Sequence, residues 1–477
     1  MKSPEPGSTP TSGEGSLWDG RFSVAPAPVA LALGRSLSFD IRLAPYDVEA
    51  GIAHVQALRD AGLLSVEEAS SLRDALAAVA AELAEGTLPF DDHDEDVHSV
   101  IERAVTERLG ELGAKLHAGR SRNDLVATDV RLWLLVAGRQ ISDDASALAR
   151  ALIGRATEHA ATVMPGTTHG RAAQPVTLGH HLLAHAWALS RDLARLDQWS
   201  ARTSTSPLGA GAIATSTLGL DAGVTARRLG FDRPFANSID AVSDRDAVQE
   251  FLAVATILAT HASRLAADLA RFCDPALGWA ELDEAYSTGS SMMPNKRNPD
   301  ALELARGKAA RVGAGFAGIA ALLQGLPAGY HRDLQEDKEP AFDAADTLGG
   351  VLPALAGAVR TVRFDVDAMR AACADPDLYA TDLAEVLVVA GVPFREAHRR
   401  TGELLKHLAR EGRTLRDLTP SEWSAFGTPE GATILDADRA VSARSGPGGP
   451  SRVSVEAQVA ALDELLAEAG SRGQGLR

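Results

Sequence analysis

The sequence predicts an all-α protein built around a bundle of long helices. Ala and Leu are abundant and aromatic residues make up only 5% of the 477 residues, which favours helices packed through small side chains over a β-sandwich. Two long stretches rich in Ala, Leu and Val, 129–158 and 247–271, continue without Pro. Alternating strand patterns are nearly absent. Together these observations predict long helices of the bundle type.

Signals for single helices appear along the chain in order. Ser65 is followed three residues later by Glu68, a capping box that predicts the start of a helix, and Gly86 is placed for its end. The stretch 312–330 carries no charge but contains five glycines and Pro327, so it fits a buried central helix better than a membrane span. Apolar residues at helical spacing over 455–469 predict a last amphipathic helix.

Breaks between these patterns predict three domains after a flexible tail. The tail covers 1–16. The helical N-terminal domain covers 17–118, the long-helix bundle covers 119–372, and the helical C-terminal domain covers 373–477.

Charge and cysteine content restrict the partners and the compartment. The chain has 64 acidic against 47 basic residues, a net charge of −17, and such a surface repels phosphate backbones and anionic lipids. We therefore expect neither a nucleic acid nor a membrane as partner. Two cysteines, Cys273 and Cys373, imply no disulfide framework and favour the cytoplasm.

The segment 287–299 is the most informative part of the chain for function. It combines two Gly/Ser turns, two prolines and Lys296, residues that suit a mobile flap with exposed N–H groups and a positive charge. A second cluster ends in Thr168 and His169. A third comprises 94–98, where Asp94 and His98 would share a helix face, and 117–124, where Arg120, Arg122 and Asn123 make a plausible anion cradle.

Residues 289–299 fit the pattern GSSxMPxKxNP, which is the signature of the fumarase/aspartase superfamily. Further segments, among them 285–289, 330–339 and 392–398, make nearly the whole chain resemble the argininosuccinate lyase family. The resemblance implies a three-domain helical fold with a central bundle, cleavage of argininosuccinate to arginine and fumarate, and a homotetramer whose sites combine segments of several subunits. Alternatives are a related lyase for another substituted succinate and a non-catalytic, crystallin-like relative.

The resemblance also implies roles for single residues. It makes Ser290 the base, Lys296 and loop amides the stabilisers of developing charge, and His169, oriented by Glu303, the acid or proton shuttle. The implied substrate-binding residues are Ser36, His98, Arg122, Asn123, Thr168, Tyr330, Gln335 and Lys338.

Other sequence features qualify these expectations. The chain departs from the family at Ala118, Leu125 and 170–172, beside the cradle and His169. Neither a Rossmann nor a P-loop fingerprint is present, so no nucleotide cofactor is implied. His181 and His185 share a helix face, but without an HExxH glutamate or an evident third ligand we predict no metal.

Overall fold

The computed structural model describes residues 27–91, 94–428 and 431–473. The predicted flexible tail lies outside these residues. The described chain is predominantly helical, and its strands form only two-stranded sheets, so the all-α prediction is confirmed.

The α-helices are, in chain order, α1 (Pro28–Gly34), α2 (Leu37–Asp40), α3 (Ala44–Asp60), α4 (Val66–Glu85), α5 (Val97–Leu109), α6 (Glu111–Ala114), α7 (Arg122–Glu158), α8 (Leu178–Thr203), α9 (Ala222–Arg228), α10 (Ser238–Ser243), α11 (Asp246–Phe272), α12 (Asp300–Leu323), α13 (Lys338–Thr361), α14 (Val366–Ala372), α15 (Ala380–Val389), α16 (Phe394–Glu411), α17 (Pro420–Phe426), α18 (Ala437–Ala443) and α19 (Arg452–Gly473). Short 3-10 helices cover Ile41–Leu43, Lys115–His117, Glu284–Tyr286, Arg332–Asp337, Pro376–Tyr379, Leu415–Asp417 and Gly431–Ile434.

The strands are β1 (Val163–Thr168), β2 (Arg171–Thr177), β3 (Thr205–Ser206), β4 (Arg233–Pro234), β5 (Ala280–Glu281), β6 (Thr288–Gly289), β7 (Arg297–Asn298) and β8 (Arg363–Phe364). β1 pairs with β2, β5 with β8 and β6 with β7, all antiparallel, whereas β3 and β4 are parallel.

The local signals for the helices are confirmed. The Ser65 side chain accepts from the Glu68 amide and the Glu68 side chain accepts from the Ser65 amide, so the predicted capping box begins α4. Gly86 caps its end with φ 68°, a left-handed conformation that glycine adopts without a steric penalty. The stretches 129–158 and 247–271 lie within α7 and α11, and 455–469 lies within α19.

The prediction of one helix over 312–330 is wrong for 324–330. α12 begins earlier, at Asp300, and ends at Leu323. Gly325 and Gly329 follow with φ 88° and 103°, and Pro327 between them lacks the N–H that a continuing helix needs. Among the described residues no helix is long and apolar enough to cross a membrane.

The described chain divides into two compact units, each assembled from three segments. The first unit contains 27–133, 204–244 and 326–338, and the second contains 134–203, 245–325 and 339–473. The three contiguous domains expected from the sequence stay a prediction.

Each unit has its own core. In the first, α3 packs against α4, α5 and α9, with Leu58 and Leu72 fully buried. In the second, α11 packs against α8 and α12, and Trp199 is buried beside Phe251. Gly138 of α7 lies against the Trp199 ring, where an added Cβ would be 2.2 Å from a ring carbon, so the close packing depends on glycine.

Candidate active site

In the first unit, the loop residue Glu95 contacts several of the predicted substrate-binding segments through its side chain and its backbone carbonyl. Arg122 Nη1 lies 3.3 Å from Asp96 and 3.5 Å from Glu95. The Arg332 guanidinium also binds Glu95, and the Ser36 amide donates to the Glu95 carbonyl at 3.0 Å. Glu95 therefore connects the start of α2, the start of α7 and the segment before α13.

The start of α7 is anchored through its first turn. Asn123 Nδ2 donates to the Ala212 carbonyl at 3.1 Å. The buried Asp124 carboxylate accepts from the amides of Gly209 and Gly211 at 3.0 and 2.8 Å. These bonds hold the 209–212 loop beside the predicted anion cradle, because one side chain satisfies two loop amides at once.

The remaining predicted binding residues of the first unit differ in accessibility. Gln335 is half-buried and donates to the Gly34 carbonyl at 3.2 Å, and Tyr330 packs on Ala210 and Val242. Lys338 is only 3% exposed, and its Nζ lies 2.8 Å from Asp337. Ser36 is also buried, and it donates to Asp40 at 2.6 Å.

His98 lies in a buried cluster with Asp47 and Asp129, here called the His98 cluster. Its Nδ1 is 2.5 Å from Asp47 and 3.6 Å from Asp129, and the side chain is 6% exposed. Burial opposes a charge on His98, but the hydrogen bond to Asp47 and the surrounding carboxylates outweigh it and raise the pKa of His98 to about 9. Its ring is therefore an imidazolium at neutral pH. These contacts favour a role behind the site over direct contact with substrate.

In the second unit, Thr168 and His169 occupy the exposed tip of the β1–β2 hairpin. Thr168 pairs with Arg171, which leaves His169 and Gly170 as a two-residue turn. Both have positive φ, 55° and 72°, as a type I′ turn requires. A histidine rarely adopts this conformation, and such strained residues cluster at functional sites.

The 287–299 loop is a second hairpin, closed by the pairing of β6 with β7. Directly after β6 the half-buried Ser290 Oγ accepts from the amides of Met292 and Met293 at 3.3 and 3.0 Å. Lys296 is exposed, and at the base Thr288 Oγ1 donates to Asp300 at 2.5 Å. Two amides therefore converge on the oxygen of the predicted base.

The expected pairing of His169 with Glu303 is not formed within one chain. Glu303 lies exposed on the first turn of α12, and its carboxylate is 3.8 Å from Arg306. In the described part of the chain no hydrogen bond joins it to His169.

Sequence reasoning missed the acidic partners of His98. Asp47 and Asp129 lie among apolar core residues of α3 and α7. An acidic residue on an apolar helix face was the signal in the sequence that could have indicated these buried partners. Asp94 shares no helix face with His98, because α5 begins only at Val97 and Asp94 instead binds Arg103 at 2.7 Å.

Leu125 and Arg171, two departures from the family pattern, differ in their exposure to solvent. Leu125 is 1% exposed and belongs to the core, so it does not face the cradle directly. Arg171 is exposed in the hairpin that carries His169.

Comparison with known proteins places the chain in a family. The model of a family described as "Lyase" matches residues 20–314, and that of "Argininosuccinate lyase C-terminal" matches residues 377–442. An argininosuccinate lyase of Frankia casuarinae is 47% identical, covering 94% of this chain and 98% of the relative. One from Acidothermus cellulolyticus is 46% identical, covering 95% and 94%.

Solved structures show the same fold. EDDS lyase in complex with formate superposes with a TM-score of 0.82 at 29% identity, covering 95% of this chain and 94% of that chain. A class II fumarase from Schistosoma mansoni, at 16% identity and a TM-score of 0.72 over 86% of this chain and 94% of its own, supports the fold alone. The expected enzyme class is confirmed as a lyase, and the chain belongs to the argininosuccinate lyase family.

Proposed function

We propose that this chain catalyses the reversible β-elimination of argininosuccinate to arginine and fumarate. The observation that carries the proposal is its identity of 44–47% to argininosuccinate lyases over at least 94% of the chain. The proton to be removed lies on a carbon next to a carboxylate and is only weakly acidic. Removing it builds negative charge on the carboxylate oxygens, so electrostatic stabilisation has to dominate the catalysis.

Ser290 is the proposed base. A serine hydroxyl has too high a pKa to act unaided, and hydrogen bonds to its oxygen favour the alkoxide. The Met292 and Met293 amides supply two such bonds, and Lys296 in the same loop supplies a positive charge. When Ser290 takes the proton, the electron pair left on carbon forms the double bond of fumarate as the carbon–nitrogen bond breaks.

His169 is the proposed acid or proton shuttle for the departing guanidino nitrogen. Its position at the exposed tip of a tight hairpin presents the ring to a bound ligand with few backbone degrees of freedom. Glu303 keeps its proposed role of orienting His169. We propose that the Glu303 that contacts a given His169 belongs to another subunit.

The first unit is proposed to bind the substrate. Arg122 and Asn123 would hold a carboxylate, because guanidinium and amide groups donate to anions. Thr168, in the second unit, keeps its proposed role as a substrate-binding residue. Tyr330, Gln335 and Lys338 are proposed for the arginine half, with Ser36 supporting its segment through Asp40. His98 is proposed as a positioning residue, since its ring is committed to Asp47.

We propose a homotetramer in which each site combines segments of different subunits. Large apolar side chains stay exposed on the long helices of the second unit, including Val136 at 53% on α7 and Leu304 at 59% on α12. Burying them against further copies is favourable at roughly 25 cal/mol per Å² of apolar surface. The missing His169–Glu303 contact within one chain agrees with shared sites.

Light scattering of the purified chain measures the oligomeric state, and subunit mixing tests for shared sites. His169→Asn and Lys296→Met homotetramers should each be inactive, but mixed assemblies should regain partial activity because some sites then contain neither lesion. A monomer, or no recovery from well-reassembled mixtures, contradicts the proposal.

Free thiols at Cys273 and Cys373 support a cytoplasmic location.

A fumarate absorbance assay tests the function itself. Argininosuccinate should give the highest kcat/KM among argininosuccinate, adenylosuccinate, aspartate and EDDS. EDDS is included because a solved relative of the same fold is an EDDS lyase, which makes a lyase for another substituted succinate the second candidate. Faster turnover of any competitor would favour that candidate. Absence of turnover with all of them would favour a non-catalytic relative.

A further inference from the structure

His181, His185 and Asp268 form a half-buried cluster between two long helices of the second unit. His181 and His185 lie one turn apart on α8, and Asp268 lies on α11, which packs against α8. The Nε2 atoms of His181 and His185 are 3.3 and 2.9 Å from the same Asp268 oxygen. The sequence shows the two histidines but not the acid, because Asp268 follows them by more than eighty residues and only the helix packing brings it close.

The distances match those between the ligands of a metal ion. The potential ligand atoms all lie within 4.8 Å of one another. Zn²⁺ binds imidazole nitrogen and carboxylate oxygen at about 2.0–2.2 Å, so neighbouring ligands of a tetrahedral site are roughly 3.3 Å apart. His181 Nε2 has only a long contact of 3.3 Å to an Asp268 oxygen that His185 already bonds at 2.9 Å, which leaves a polar atom that a cation would satisfy better.

A second histidine–aspartate contact between the same helices shows what an ordinary structural pair looks like. His261 of α11 bonds Asp192 of α8 at 2.6 Å, and Arg195 bonds the other Asp192 oxygen at 2.9 Å. Both carboxylate oxygens there have a hydrogen-bond donor, and there is one imidazole. In the group of His181, His185 and Asp268, a second imidazole faces an oxygen that already has a partner.

The His98 cluster is the other group of metal-binding residue types in the described part of the chain, and it is unsuited to a metal. His98 and both of its carboxylates are buried, so an ion has no open access. The protonated His98 ring also has no lone pair left for coordination. In contrast, His181 and Asp268 are 26% and 40% exposed, within reach of ions in solution.

We propose that His181, His185 and Asp268 bind one Zn²⁺ ion per chain, with a fourth position open to water, and that the ion links α8 to α11. Two imidazoles and one carboxylate are the donor set of open zinc sites. This site is separate from the residues proposed for the elimination reaction. Because the ion binds the folded chain through residues of two helices, binding also raises the unfolding temperature.

Equilibrium dialysis of the untagged, chelator-treated full chain against ZnCl₂, read by elemental analysis, tests the proposal. The wild type should take up one Zn²⁺ per chain. His185→Gln and Asp268→Asn should each weaken binding by at least about tenfold. Their fold is checked by circular dichroism, and Asp268→Asn keeps the size of the side chain. His261→Gln is the matched control, because it removes a histidine from the same helix pair and should leave zinc uptake unchanged.

A thermal unfolding series gives a second readout. At the same concentration, Zn²⁺ should raise the unfolding temperature of the wild type and of His261→Gln more than that of His185→Gln. Wild-type affinity for Zn²⁺ in both His185→Gln and Asp268→Asn, or uptake lost in His98→Asn instead, overturns the proposal. So does a wild type that takes up no stoichiometric zinc.

Discussion

The His98 cluster and the 287–299 loop hold their polar groups in opposite ways. His98, Asp47 and Asp129 are buried, and the charged His98 ring lies 2.5 Å from Asp47 and 3.6 Å from Asp129. In the 287–299 hairpin, Ser290 is instead half-buried and Lys296 is exposed. The Ser290 oxygen accepts hydrogen bonds from amides two and three residues away. The first region therefore depends on the core of its unit, whereas the second depends on local backbone geometry. Variants of the two regions should therefore fail differently.

The largest expected effect is on catalysis in the loop. Ser290→Ala and Lys296→Met should each lower kcat by roughly a thousandfold, about 4 kcal/mol in the barrier, because each removes a group that meets developing charge. The unfolding temperature should stay near that of the wild type, since both side chains lie outside the core. Fumarate release measures kcat, and Lys406→Met, an exposed lysine of α16, is the control. Near-normal turnover in either loop variant would remove that residue from the mechanism.

The next effect is on stability in the His98 cluster. His98→Asn should lower the free energy of unfolding by about 3 kcal/mol, because it leaves Asp47 and Asp129 buried without their cation. Urea unfolding measures this, with His407→Asn as the control, since His407 is 64% exposed on α16. Equal stability of the two variants would show that the buried charges are not coupled to folding.

The pH dependence of stability should separate the regions further. The pKa of His98 is raised to about 9 in the folded chain from an ordinary value of 6.5. Its stabilisation is therefore complete below pH 6.5 and is lost as pH rises toward 9, with a loss of up to about 3 kcal/mol across that window. Unfolding measured between pH 6 and 9 should show this slope in the wild type and not in His98→Asn. An identical slope in both would assign it to other groups.

The smallest effect concerns the support of the loop. Tyr286, just before the loop, packs its hydroxyl against Gly357 of α13, where an added Cβ would lie 1.9 Å from that oxygen. Gly357→Ala should displace Tyr286 and cost about 1 to 2 kcal/mol of stability, with a drop in kcat. Gly349→Ala is the matched control on the same helix, because its Cβ meets nothing within 4 Å and should be neutral or slightly stabilising. Equal kcat in both variants would show that Tyr286 does not support the loop.

Several features of this protein were determined by the sequence itself. The pattern of 289–299 led to the lyase family, and Ser65, Glu68 and Gly86 marked the two ends of α4, because motifs and caps act between residues close in the chain. Composition, the long stretches rich in Ala, Leu and Val, and the near absence of alternating patterns together predicted the all-α class. The end of α12 differs from the prediction of one helix over 312–330, because the left-handed backbone of Gly325 and the missing N–H of Pro327 end the helix despite the apolar side chains.

The tertiary structure alone decided which distant residues meet. Asp47, His98 and Asp129 come from α3, α5 and α7, and the carboxylates raise the pKa of His98 against the effect of its burial, which no spacing in the sequence could show. Asp268 reaches His181 and His185 only because α11 packs against α8. The physical reason is the range of the interactions. Caps and turns are satisfied within a few residues, whereas desolvation and charge pairing depend on every element that closes around a side chain.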